Sequence, residues 1–75
     1  SVNGKYLLKA SRPITELDIF SLSGRLISRH DFSLSPKTSF IIESRGAKPL
    51  GRGLYLVRVK SVDGSLAVRK FTIVP

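Results

Sequence analysis

The sequence predicts a small antiparallel all-β sandwich, and three observations carry that reading. Apolar and polar residues alternate over short stretches, turn signals recur about every ten residues, and no stretch keeps a 3.6-residue period for three turns. Such alternation buries one face of a strand and leaves the other to water, the pattern of antiparallel sheets.

Strands are predicted near Lys5 to Ala10, Thr15 to Phe20, Arg25 to Phe32, Ser39 to Glu43, Leu54 to Val62 and Leu66 to Val74. Arg12-Pro13 ends the first, because proline cannot donate to a ladder and restricts the residue before it. Ser23-Gly24 turns the chain between the second and third, and Ser35-Pro36-Lys37 separates the third from the fourth. Arg45 to Arg52 reads as a loop carrying Gly46, Pro49 and Gly51. Val62-Asp63-Gly64-Ser65 reads as a hairpin turn, since Asp-Gly accepts the positive φ angles such turns require.

In the fifth strand Tyr55, Val57 and Val59 alternate with Arg58 and Lys60, so the odd positions face the core. A two-residue turn at Asp63-Gly64 would then set Val57 opposite Lys70 and Tyr55 opposite Thr72, burying a lysine beside valine. A shift of one residue, from a bulge or a three- or five-residue loop, instead puts Tyr55, Val57 and Val59 on the face of Phe71 and Ile73. The shifted pairing is therefore the expected one, and these residues are expected to be largely buried.

At 75 residues the chain has room for one domain, residues 1–75, with one core. It has no cysteine, hence no disulfide or thiolate metal site, and its one histidine, His30, cannot build a histidine-rich metal centre. There is no methionine, so the chain reads as a piece of a longer protein. No apolar run approaches the roughly 18 residues of a membrane span, and the N-terminus lacks a signal-peptide pattern. Thirteen Lys and Arg against five Asp and Glu give a formal charge of +8, which invites an anionic partner: nucleic acid, an anionic glycan or lipopolysaccharide, or an acidic protein groove.

Catalytic equipment is missing, so the expected function is non-enzymatic, with no cofactor and no metal. His30 and Asp31 are neighbours on one strand, and their side chains point to opposite faces, which prevents a base-and-orienter pair. Glu16 and Asp18 share a face among arginine and lysine that keep both ionised, an ion-pair role at the surface. The glycine-rich Gly46 to Gly53 lacks the lysine-Ser/Thr ending of a phosphate loop. Base stacking needs exposed rings. Here Tyr6, Phe32, Phe40, Tyr55 and Phe71 fall mostly at core positions and Phe20 alone is displaced, so sequence-specific nucleic-acid binding is not expected.

Three blocks carry a family resemblance. Ile14 to Ile27, ITELDIFSLSGRLI, resembles a V-x-I-Y-D-x-x-G-R-x-V segment; Leu50 to Val59, LGRGLYLVRV, resembles L-x-x-G-x-Y-x-V-R-V; and Gly64 followed by Val68 to Val74, VRKFTIV, resembles G-x-x-x-x-K-x-x-V. In that order they are similar to the C-terminal sorting domains of the type IX secretion system in Bacteroidetes, and the pattern also resembles immunoglobulin-like domains of flagellar hook-capping proteins. The resemblance implies an immunoglobulin-like antiparallel sandwich of six to seven strands. It implies a sorting signal that takes its cargo from the periplasm across the outer membrane, to be secreted or held at the cell surface. The implied partners are the outer-membrane export machinery and a surface sortase that joins cargo to anionic lipopolysaccharide. The Pro-Asn-Pro-like opening of the family is not found in Ser1-Val2-Asn3-Gly4. The charge also resembles that of basic C-terminal domains on secreted polysaccharide-degrading enzymes, which keeps an adhesion or carbohydrate-binding module as the alternative.

Within the motifs, Gly24 suits a positive φ between strands, Gly53 a close backbone approach entering a core strand, and Tyr55 a buried ring whose hydroxyl finds a backbone partner. Arg25 suits a hydrogen-bonded role along an edge. The expected recognition residues are Arg69, Lys70, Phe71, Ile73 and Val74, a basic pair on an apolar last strand.

Overall fold

The computed structural model describes residues 5–43 and 50–73. Five antiparallel strands form one sheet: β1 (Lys5–Ser21), β2 (Leu26–Asp31), β3 (Lys37–Glu43), β4 (Gly53–Ser61) and β5 (Leu66–Ile73). The order is β2-β1-β4-β5, and β3 also pairs with β1. The all-β expectation holds, with five strands among the described residues where six to seven were expected.

The difference lies in β1. Its 17 residues run straight through the Arg12-Pro13 step, merging the two strands predicted there. Pro13 falls where β1 changes partners: Lys5 to Lys9 pair with β3, while Glu16 to Ser21 lie between β2 and β4. A proline between two ladders removes no bond from either, so it marks a bend and not an end. Its carbonyl accepts from the Val62 N–H at 3.1 Å. The Arg12 guanidinium pairs with Asp63 in the β4–β5 turn, a second tie at the same place.

A register shift between Ile14 and Glu16 leaves Thr15 unpaired against β4. One extra residue flips the alternation. Tyr6, Leu8 and Ile14 therefore face the core at even positions, and Leu17 and Ile19 at odd ones. The buried core is Ile14, Leu17, Ile19, Ile42, Leu50, Val57 and Ile73, with Tyr6, Leu8, Phe40, Tyr55 and Phe71 packed around it. Residues from both halves of β1 share that cluster, so the sheet coils around one core.

Two turns use the same construction. In Ser21–Arg25 and Ser61–Ser65 the first residue's N–H donates to the last residue's carbonyl at 2.9 Å, and Gly24 and Gly64 donate back at 3.0 and 2.9 Å. Each closes a three-residue loop whose glycine sits at a φ of 90° or 87°, open space around it. The three-residue loop sets Tyr55 opposite Phe71 and Val57 opposite Arg69, the shifted register expected from the sequence. Val57 and Ile73 are buried as expected, whereas Val59 and Phe71 are only half-buried.

Candidate functional site

β5 ends the path of the sheet, so one of its backbone edges is unpaired among the described residues. Because the Ser61 N–H donates to the Ser65 carbonyl, alternation along the register turns the N–H and C=O groups of Val68, Lys70 and Thr72 toward that free edge. The Val68 carbonyl accepts from Arg69 Nη1 at 3.3 Å, the arginine folding back over the edge of its own strand.

The expected recognition residues are thereby divided. Phe71 and Ile73 anchor β5 from the core side, Ile73 only 2% exposed and Phe71 stacked on Tyr55 with ring centroids 5.5 Å apart. Arg69 pairs with core-facing Val57, whereas Lys70 pairs with Leu56 on the opposite face. The register sets the two cations on opposite faces of β5, and both border a cleft beside that strand. Both are exposed, and neither has an acidic partner among the described residues. Val74 lies outside the described residues, as do residues 45–49 of the predicted loop.

On its inner side β5 borders an open cleft of about 410 Å³. Leu8 of β1, Phe40 of β3, Val57 and Val59 of β4 and Phe71 of β5 give it an apolar lining, and Lys9, Arg12, Arg69 and Lys70 border it as well. No Cα atom of β1 or β3 comes within 8 Å of one in β5, so the cleft is not bridged by strand pairing. Sequence reasoning missed it. The signal was Arg69 itself, a cation at an odd, core-facing position.

The motif residues have structural work to do. Tyr55 donates its hydroxyl to the Gly51 carbonyl at 2.6 Å while its ring packs on the core. Gly24 has the positive φ expected of it. Gly53 does not make the close approach expected, since an added Cβ would meet only the Tyr55 ring at 3.9 Å; its φ of 150° is what favours glycine. Arg25 is exposed, and its backbone closes the Ser21 hairpin while its N–H also reaches Ser21 Oγ at 3.2 Å.

Asp18 corrects the surface ion-pair expectation. It is 1% exposed, with Arg58 Nη2 donating to Oδ2 at 2.7 Å and Arg29 Nε to Oδ1 at 2.9 Å. Burial works to raise its carboxyl, but the hydrogen bonds from Arg29 and Arg58 outweigh it and hold the group below its ordinary range. The same partnership raises Arg29. Glu16 shares the face as predicted, half-exposed, 3.8 Å from Arg29. Phe20 also sits on this face, with the Arg58 guanidinium 5.2 Å above its ring.

His30 pairs with core-facing Leu17 and Asp31 with outward Glu16, so the two side chains diverge. Burial lowers His30, with the Asp18 charge opposing, and its ring lies 4.7 Å from that of Phe40. No family model matches the chain, and no curated protein or solved structure does either.

Proposed function

We propose that this chain is a non-catalytic sorting module that directs a secreted bacterial protein through the periplasm and across the outer membrane to the cell surface. The observation that supports this most is β5: a strand anchored in the core by Phe71 and Ile73, with Arg69 and Lys70 exposed beside its free edge and without an acidic partner among the described residues. A receptor can read such a strand without unfolding the domain. The first two motif blocks are spent on folding, through Gly24 at its turn and the Tyr55 bond to Gly51. The third leaves its cations available.

The partners in this reading are the export machinery and a surface sortase, with anionic lipopolysaccharide as the final attachment. The test fuses residues Ser1 to Pro75 behind a reporter in a bacterium with the type IX route. Parent reporter is expected at the cell surface, and reporter with Arg69→Gln and Lys70→Gln in the periplasm. A parent fusion that stays periplasmic while purified domain binds lipopolysaccharide or a polysaccharide would favour the alternative, a basic adhesion or carbohydrate-binding accessory module. Equal surface delivery by both fusions would remove the two cations from recognition.

A further inference from the structure

We infer that the free edge of β5 accepts one extended, acidic strand from a partner, whose alternate side chains fill the cleft beside it. The inference does not depend on the sorting reading, because it rests on backbone geometry, an open core and charge.

The outward N–H and C=O groups of Val68, Lys70 and Thr72 offer a ladder to an incoming strand. The Arg69 guanidinium, on the Val68 carbonyl at 3.3 Å, occupies the place an incoming N–H would take. On the inner side, half-buried Phe71, Val59 and Phe40 leave an apolar floor unfinished above about 410 Å³ of open cleft. A strand added to β5 would aim every second side chain into that space. On the outer side it would cover Leu66 and Val68, 63% and 53% exposed.

A second copy of this chain is the occupant that charge disfavours. Edge-to-edge pairing of β5 with itself would bring two Arg69-Lys70 pairs together in a protein of formal charge +8. The same cations select an acidic strand. Residues directly opposite in an antiparallel pair share a face. The partner of Arg69 is then an acidic residue aimed into the cleft, and the partner of Lys70 an acidic residue beside it on the outer face. Apolar residues belong opposite Leu66, Ala67, Val68 and Phe71, and a polar one opposite Thr72. Read from the Thr72 end, the complementary strand is polar-apolar-acid-acid-apolar-apolar-apolar, a doublet of acids inside an apolar run.

The probe is a capped peptide, Thr-Val-Glu-Glu-Val-Ala-Val, titrated into the full chain at low and moderate salt with amide chemical shifts recorded. A control peptide of the same composition, Glu-Val-Thr-Ala-Val-Val-Glu, separates the acids. One-to-one binding is expected for the first peptide, with shifts at the amides of Val68, Lys70 and Thr72 and at side chains of the cleft. Arg69→Gln should weaken it several-fold. Val68→Pro removes an outward donor but no ladder bond to β4, so it should fold and lose the peptide. Equal binding of both peptides, binding unchanged in folded Val68→Pro, or shifts confined to the opposite edge at β2 would overturn the inference. So would concentration-dependent dimerisation through β5 in the absence of peptide. A failed export fusion would leave it standing, and failed peptide binding would leave the sorting reading standing.

Discussion

Asp18 lies on the outer face of the sheet yet is only 1% exposed, because Arg58 of β4 and Arg29 of β2 close over its carboxylate from the two neighbouring strands. Asp18 is paired directly across the ladder with both arginines. Their stems cover it while Arg29 stays 53% and Arg58 38% exposed, so the cations keep much of their hydration.

Removing that carboxylate leaves two arginines facing each other. Asp18→Ala should destabilise by about 2 kcal/mol, less than the roughly 3–5 kcal/mol of breaking a fully buried pair, because Arg29 and Arg58 can turn to water. Chemical denaturation of parent and variant checks the figure. The pH dependence follows from the sign of the shift. The folded carboxyl lies below its ordinary value of 3.8, so the unfolded chain binds its proton more readily than the fold does. The stabilisation is therefore complete above about pH 4 and is lost as pH falls through the folded value. Melting temperatures between neutral pH and pH 2 should fall more steeply in the parent than in Asp18→Asn. Asp31 and Asp63 are also lowered, by Ser33 and Ser65 hydrogen bonds, so the variant's curve is not flat.

The last hairpin supplies the second prediction. Ile73 is fully inside while Phe71 is half-covered and borders the cleft. Ile73→Ala should cost about 3 kcal/mol, and Phe71→Ala less than the ~3–5 kcal/mol of a fully enclosed ring. Paired denaturation curves in which Phe71→Ala is the more damaging would contradict the placement of the cleft.

What the sequence made legible, and what it hid, follows from where alternation is local. The register of β4 on β5 could be read because burying Lys70 beside Val57 is costly, and the three-residue loop provides the shift that avoids it. Phe20 could be read as displaced because local alternation puts it out of phase with Leu17 and Ile19. The continuity of β1 could not, because its parity reverses at the bulge beside Thr15 and a proline stands just before it. Asp18 was placed on the correct face, but its burial depends on Arg29 and Arg58 arriving from strands 11 and 40 residues away. Gly53 was assigned for proximity when its φ was the reason.

A third prediction concerns Tyr55. Its hydroxyl bond to Gly51 is partly open to water, so Tyr55→Phe should cost about 1 kcal/mol while leaving the ring on Phe71. The discriminating measurement is hydrogen exchange. Protection near Gly51 should fall while that of Val57 and Ile73 is retained, and a uniform loss would mean that the ring, and not the hydroxyl, had been disturbed.

The final prediction concerns polyanions and separates cations that are committed from those that are free. Arg29 and Arg58 are occupied by Asp18, whereas exposed Lys60 and Lys70 lie on the same outer face, opposite Leu66 and Leu56. Binding to a random-sequence DNA duplex, used as a generic polyanion, should therefore be unspecific and weaken steeply with salt, because counterion release supplies the free energy. Each cation engaged adds about −0.9 to the slope of log K against log salt. Lys60→Gln with Lys70→Gln should make the slope shallower by about 2 units if both contact phosphate. Exposed lysines contribute little to stability, so the double variant should melt close to the parent and loss of binding can be assigned to charge. Arg29→Gln is the counter-test: it should lower stability by releasing part of Asp18 while changing the salt slope little. A salt slope unmoved by the lysine substitutions but reduced by Arg29→Gln would place the polyanion on the arginine pair, and would mean that Asp18 yields its partners to a stronger anion.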